Sequence, residues 1–181
     1  MKGVVFTEFL EMVEHRFSPE MADRIIEEAE LPSGGVYTAV GTYDHAEIVA
    51  LVDRLSKAAD VSVPQLLHAF GKHLFLRFVE GFPHFFEERN DAFGFLAQVE
   101  DYIHVEVKKL YPDAELPSVL ASTDGNERMT IVYRSDRAMA DLAHGLIEGC
   151  VDHFGEAIDI SVTDLSNEAG RHVRFELARA A

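Results

Sequence analysis

Two short stretches of the chain carry side chains whose types and spacing suit ligand binding. The first is Asp101-Tyr102-Ile103-His104-Val105-Glu106-Val107. On a helix, His104 shares an edge with Ala97, Val107 and Tyr111, all apolar or aromatic. An imidazole held there offers a neutral nitrogen to a metal. Taken alone, this pattern fits a core histidine donating to a backbone carbonyl better than it fits a ligand. The second stretch is Tyr133-Arg134-Ser135-Asp136-Arg137. If a strand runs this far, its period of two puts Tyr133, Ser135 and Arg137 on one face. Phenol, hydroxyl and guanidinium then form a row of donors, and the fork of an arginine suits a carboxylate or phosphate. An exposed strand edge explains the same pattern at least as well.

A weaker constellation lies between them. Glu80 and His84 stand four residues apart, with Glu87 and Glu88 nearby. Two carboxylates and a histidine can bind iron or zinc, which would make the chain a non-haem metalloenzyme. Pro83 falls between them and disturbs the helix that this reading needs. The remaining histidines read mostly as surface or satisfied residues.

The elements that position these residues follow from hydrophobic period. Val4, Phe6, Phe9, Leu10, Val13 and Phe17 form a broad helical stripe. Ser18-Pro19 starts a second helix through Met21, Ile25 and Ile26, which stops before the loop Leu31-Pro32-Ser33-Gly34-Gly35. Asp44 caps a third carrying Ile48, Leu51, Val52 and Leu55. Ser62 opens a fourth, apolar over a wide arc from Leu66 to Val79, which marks it as core or as the wall of an apolar ligand site. Phe93 to Tyr111 reads as one helix that Pro112 ends. Beyond Pro117 the period changes. Ser118–Thr123 and Arg128–Ser135 read as strands around the turn Asp124-Gly125-Asn126. A helix from about Met139 to Phe154 and strands at Ala157–Thr163 and His172–Leu177 complete the chain, the last two joined by the turn Asn167-Glu168-Ala169-Gly170. Helices first and strands later predict an α+β fold.

Composition excludes several functions. The 181 residues carry 16 Lys+Arg against 32 Asp+Glu, a net charge of -16. Phosphate backbones and anionic membranes repel such a surface, so neither nucleic acid nor membrane is an expected partner. The single cysteine, Cys150, cannot form an internal disulfide or a CxxC site. Glu8 and Glu11 interrupt the N-terminal apolar run, so it reads as neither signal peptide nor membrane span, and the cytoplasm is the expected compartment. Common enzyme signatures, including GxGxxG, GxSxG and HExxH, are missing, and the chain is not expected to be an enzyme.

Together, the histidine and the donor row describe an amphiphilic ligand held from opposite ends. One end is a metal on imidazole, and the other is a set of acidic tails on Tyr133, Ser135 and Arg137. Haem b has an iron, an apolar macrocycle and two propionates. A haem-free interaction module with an apolar core remains the contrasting reading.

At these residues the sequence resembles the H-NOX (haem-nitric-oxide/oxygen-binding) family, bacterial gas sensors related to the haem domain of soluble guanylate cyclase. The resemblance covers nearly the whole chain. It runs through Met1-Lys2-Gly3, Phe70-Gly71-Lys72, Phe82-Pro83, His104 with Pro117 thirteen residues on, the YxSxR pattern at Tyr133, Ser135 and Arg137, and Gly145-Leu146-Ile147-Glu148-Gly149. It implies non-covalent haem b between two lobes. A helical lobe covers about 1–62, and a haem-ligating lobe with a four-stranded antiparallel sheet covers about 63–181. His104 is implied as the iron ligand, Tyr133, Ser135 and Arg137 as the propionate clamp, and Pro117 as the residue pressing on the porphyrin. Met1, Val5, Phe9, Leu74, Phe78, Leu142 and Leu146 are implied as the pocket wall.

The family's oxygen-holding members have a distal tyrosine five residues after the YxSxR arginine, where this chain has Leu142. Supporting polar positions fall on Phe9 and Leu74, both apolar. Distal polarity is a lever on gas choice. The resemblance therefore implies a sensor that binds NO and CO and excludes O2, with NO breaking the bond from iron to His104. It also implies a separate signalling partner, a histidine kinase or a cyclic-di-GMP enzyme (diguanylate cyclase or phosphodiesterase). Some relatives have a C-terminal zinc site of several cysteines, which Cys150 alone cannot build.

Overall fold

A computed structural model describes residues 1–87, 89–166 and 170–180. The helices are α1 (Gly3–Arg16), α2 (Pro19–Glu28), α3 (His45–Ala59), α4 (Val63–Gly81), α5 (Ala92–Leu96), α6 (His104–Leu110) and α7 (Ala140–Phe154). The strands are β1 (Ser118–Asp124), β2 (Arg128–Arg134), β3 (Ile158–Asp164) and β4 (His172–Arg179). They form one antiparallel sheet in the order β1-β2-β4-β3. The fold is α+β, as the order of patterns predicts. The predicted turn at Asn167-Glu168-Ala169 lies outside the described residues, as does Glu88.

Local chemistry accounts for the helix starts. Ser18 accepts from the Met21 N–H, Asp44 from the Ala46 N–H, and Ser62 with Gln65 forms a reciprocal capping box. Each such cap contributes about 1 kcal/mol by occupying an otherwise unpaired donor. The β1–β2 turn holds Gly125 at φ +61°, a left-handed conformation that glycine adopts without strain.

Two apolar cores meet along α4 and α7. The first gathers Phe6, Phe9, Met12, Val13, Ile25, Leu51, Leu55, Phe70, Leu74 and Met139. The second packs Phe75, Phe93, Phe95 and Ile147 on the inner face of the sheet, where Met129, Ile131 and Tyr133 stand beside Leu177, Phe175 and Val173. Leu146 packs against both cores. The wide apolar arc of α4 thus serves two cores at once, with Leu74 in one and Phe75 in the other.

Helices α4 and α7 approach at glycines. A Cβ on Gly145 would stand 2.0 Å from the His68 carbonyl oxygen, and one on Gly71 would stand 2.3 Å from that of Leu142. Only hydrogen side chains allow this contact. At the chain start, the Met1 ammonium donates to the Tyr43 carbonyl (2.7 Å), while Lys2 reaches Thr42 and Asp113. The N-terminus is therefore tied to the segment that leads into β1.

The largest departure from the sequence reading is the predicted helix Phe93–Tyr111. It is three pieces: α5, a π-helical turn over Val99–Ile103, and α6. Asp91 caps α5 through the Gly94 N–H, and that helix ends at Leu96. In the π turn the Ile103 N–H reaches back to the Gln98 carbonyl (3.1 Å). The extra residue rotates everything after it, so the edge expected to join Ala97 with His104 does not form, and Ala97 is exposed.

Candidate functional site

His104 is the first residue after the π turn, and its side chain is 17% exposed. Its Nδ1 lies 3.2 Å from Glu100 Oε2. A carboxylate oxygen can only accept, so this contact assigns the ring proton to Nδ1 and leaves the lone pair on Nε2. No hydrogen bond among the described residues uses Nε2. Burial pushes the imidazole pKa down, against the opposing charge of Glu100, so the ring is a neutral donor. The expectation of a core histidine bonded to a backbone carbonyl is not what the structure shows.

Glu100 joins this histidine to the sheet. The same Oε2 accepts from the Val119 N–H (2.9 Å) at the outer edge of β1. Val119 stands opposite Tyr133 on β2. Sequence reasoning missed Glu100, although its place four residues before His104 marks it as a helical neighbour.

Strand β2 ends at Arg134, so Tyr133, Ser135 and Arg137 do not share a strand face as the period of two predicts. A bend brings them together instead. The Arg137 N–H donates to Ser135 Oγ (3.1 Å), and the Ser135 N–H donates to the Arg171 carbonyl (2.9 Å). Tyr133 is 4% exposed; burial raises its pKa, against the nearby Ser135 and Arg137, so the phenol keeps its proton. The Arg137 guanidinium holds Glu115 through both its carbonyl and its carboxylate, beside Pro117 at the entrance to β1. Glu115 is a partner that no local pattern could have revealed, because it lies 22 residues away. The Met1 ammonium lies near the same arginine; burial and Arg137 both lower its pKa.

The seven expected wall residues all belong to, or pack on, the first core. Phe9 and Leu74 are buried, while Met1, Val5, Phe78, Leu142 and Leu146 are only half-buried despite being apolar. Phe9 meets Phe70 edge-on at 5.2 Å. None of these side chains carries a hydrogen-bond donor. The neighbouring tyrosines spend their hydroxyls elsewhere: Tyr37 donates to Glu47 (2.8 Å), and Tyr43 accepts from the Thr38 N–H (2.9 Å).

The alternative metal cluster at Glu80 and His84 does not assemble as one helical pair. Helix α4 ends at Gly81, and Pro83 opens a short 3-10 turn.

Residues 2–162 match the family model described as haem-NO-binding. The chain belongs to the haem-NO-binding family. Solved H-NOX proteins share its fold. The Fe(II) unliganded H-NOX protein of K. algicida is 38% identical, with a TM-score of 0.94 over 100% of this chain and 97% of the other. The H-NOX of Shewanella woodyi, solved in the Fe(II)CO state with IWP-051 bound, is 41% identical, with a TM-score of 0.84 over 99% of this chain and 95% of the other. The S. oneidensis H-NOX protein in the Fe(II)NO state is 25% identical, with a TM-score of 0.91 over all of both chains. This haem-NO-binding chain is accordingly a haem-based gas-sensor domain.

The residues present fit such a group. A neutral imidazole offers an unused nitrogen, a tyrosine, serine and arginine lie close together one strand away, and half-buried apolar side chains line the first core, with Leu146 packed against both. Among the described residues, no helix is long and apolar enough to cross a membrane.

Proposed function

We propose that this chain is a nitric oxide sensor that holds haem b without a covalent bond, takes NO and CO, and excludes O2. The observation that carries this reading is the uncommitted Nε2 of His104, with its ring locked by Glu100. His104 is the iron ligand. Tyr133, Ser135 and Arg137 hold the propionates, for which Arg137 exchanges its exposed partner Glu115. Pro117 presses on the macrocycle from the start of β1. Met1, Val5, Phe9, Leu74, Phe78, Leu142 and Leu146 form the apolar wall, at the boundary between a helical lobe (about 1–62) and a ligating lobe (about 63–181).

The haem supplies an iron to which a diatomic gas can bind. The wall decides which gas stays. Oxygen on ferrous haem carries partial negative charge and is stabilised by a nearby hydrogen-bond donor, and Leu142, Phe9 and Leu74 offer none. His104 supplies the signal. The segment 99–110 contains no fully buried residue and is held by Val99 and Ile103 on the second core and by Glu100 on β1, so a bond from iron to His104 would add a tether to a lightly anchored segment. When His104 is released, this segment and the helical lobe are free to shift against the sheet, which a separate partner reads as a difference in contact energy. That partner is a histidine kinase or a cyclic-di-GMP enzyme, a diguanylate cyclase or phosphodiesterase, in the cytoplasm.

Absorption spectra of the reduced protein, alone and with NO, CO and air, test the reading. The expected result is a Soret band that shifts with NO and CO and is unchanged by air in the reduced state. A stable oxygenated spectrum refutes the gas assignment. If both His104→Ala and Arg137→Ala leave haem uptake and its spectrum unchanged, the site assignment fails.

A further inference from the structure

Away from the haem site, α4 and α7 share a second group of ligating side chains. His68 on α4, with His144 and Glu148 on α7, each place one ligand atom within 4.8 Å of the other two. Among the described residues this is the group of three or more such side chains that could hold a metal ion. We propose that His68, His144 and Glu148 form a divalent-cation site of the zinc type that bridges α4 and α7.

The backbone positions the ligands closely. His144 and Glu148 are one helical turn apart, so both project from the same face of α7. The Gly145 backbone, lying between them, sits directly against the His68 carbonyl, so the facing helix cannot retreat or slide without losing that contact. His68 Nε2 is 2.8 Å from Glu148 Oε2, and the two imidazole rings meet edge-on at 4.7 Å. Ligands on a tetrahedral zinc stand about 3.4 Å apart, given bonds of about 2.0–2.1 Å. Small rotations about the side-chain bonds bring the three atoms to that spacing.

Donor types fit the ion. Two imidazoles and one carboxylate are the zinc set that leaves a fourth position for water. The site is reachable, since the side chains of His68 and Glu148 are 29% and 34% exposed. Lys72 is the competing cation. Its ammonium lies 2.6 Å from Glu148 Oε1 and 2.7 Å from Asp152 Oδ2. It therefore occupies the other carboxylate oxygen and a second acid, and leaves Oε2 facing His68. The bound ion would pin together the two helices that carry Leu74, Phe78, Leu142 and Leu146. It is distinct from any cysteine-built site, since Cys150 is fully buried on α7 against the second core.

The experiment uses haem-loaded protein stripped of loose metal with a chelator and titrated with zinc chloride by calorimetry. The expected result is saturation at one zinc per chain, with release of protons as the ion displaces them from the imidazoles. His68→Ala and His144→Ala should each weaken binding at least fivefold, with the Soret band and circular dichroism unchanged. His68→Gln or His144→Gln serves in place of the corresponding alanine variant if that one does not fold. Zinc-edge X-ray absorption should show two imidazole ligands. Fewer than one zinc per chain at 100-fold excess overturns the site, as does a loss under fivefold in both histidine variants. An absorption spectrum without imidazole ligands does the same, and leaves the cluster as a polar contact between helices.

Discussion

Glu100 is the residue that orients His104, the proposed haem ligand. Its Oε2 accepts from both His104 and the Val119 N–H, at 3.2 and 2.9 Å. Glu100→Gln keeps an oxygen of similar shape and removes the charge. A hydrogen bond to a charged group contributes about 1.5–3 kcal/mol, against about 0.5–1.5 for a neutral one. The Glu100 side chain is 33% exposed, so solvent screening reduces the difference to about 1 kcal/mol. That corresponds to about fivefold faster haem loss, at about 1.4 kcal/mol per factor of ten. Glu100→Ala removes the hold on the ring and also leaves a strand-edge N–H without its partner. The expected cost is about 2–2.8 kcal/mol, or about 30- to 100-fold, in the range found for groups that orient a metal-ligating histidine. Transfer of haem to an excess of a haem-free globin, followed in the Soret band, measures both rates. Resonance Raman of the reduced protein gives an independent readout, because a less anionic imidazole should lower the iron–histidine stretching frequency. If both variants release haem within twofold of the wild-type rate, Glu100 does not orient the ligand. If His104→Ala also does so, His104 is not the ligand.

Three further outcomes follow from other parts of the fold. Gly145→Ala forces a methyl to 2.0 Å from the His68 carbonyl and should cost about 3 kcal/mol or more by overpacking against backbone, lowering Tm by about 6–12 °C; Gly81→Ala, whose Cβ meets nothing, should stay within about 0.5 kcal/mol. Equal stability of these two variants in thermal unfolding would contradict the close helix contact. Cys150 is 0% exposed and burial pushes its thiol pKa up, so at pH 8 the native protein should react with a maleimide or aryl disulfide at least about 100-fold more slowly than the unfolded chain. Tyr37, partly buried and donating to Glu47, has its pKa pushed up to about 12. The unfolded phenol loses its proton first as pH rises, so the contribution of this contact is fully present below about pH 10 and is lost by about pH 12. Tyr37→Phe should flatten that alkaline fall in denaturant midpoints, and an unchanged slope would count against the assignment.

The sequence by itself determined the parts of this protein that local rules govern. Apolar residues at helical period, with Ser18, Asp44 and Ser62 as caps, specify α2, α3 and α4 because the cap oxygen and the donor it satisfies lie within three residues of each other. Alternation at period two, interrupted at Gly125, specifies β1 and β2 for the same reason. The His104 and YxSxR residues were legible as chemistry, because imidazole and guanidinium announce what they can bind. Only the tertiary structure decided how they are held. The pairings of Glu100 with Val119, of Ser135 with the Arg171 carbonyl and of Arg137 with Glu115 each involve partners distant in the chain. A hydrogen bond or van der Waals contact acts over a few ångströms of space whatever the distance along the chain. The pattern within one element therefore does not encode which carboxylate will meet an edge N–H, or which glycine will face a carbonyl on the next helix.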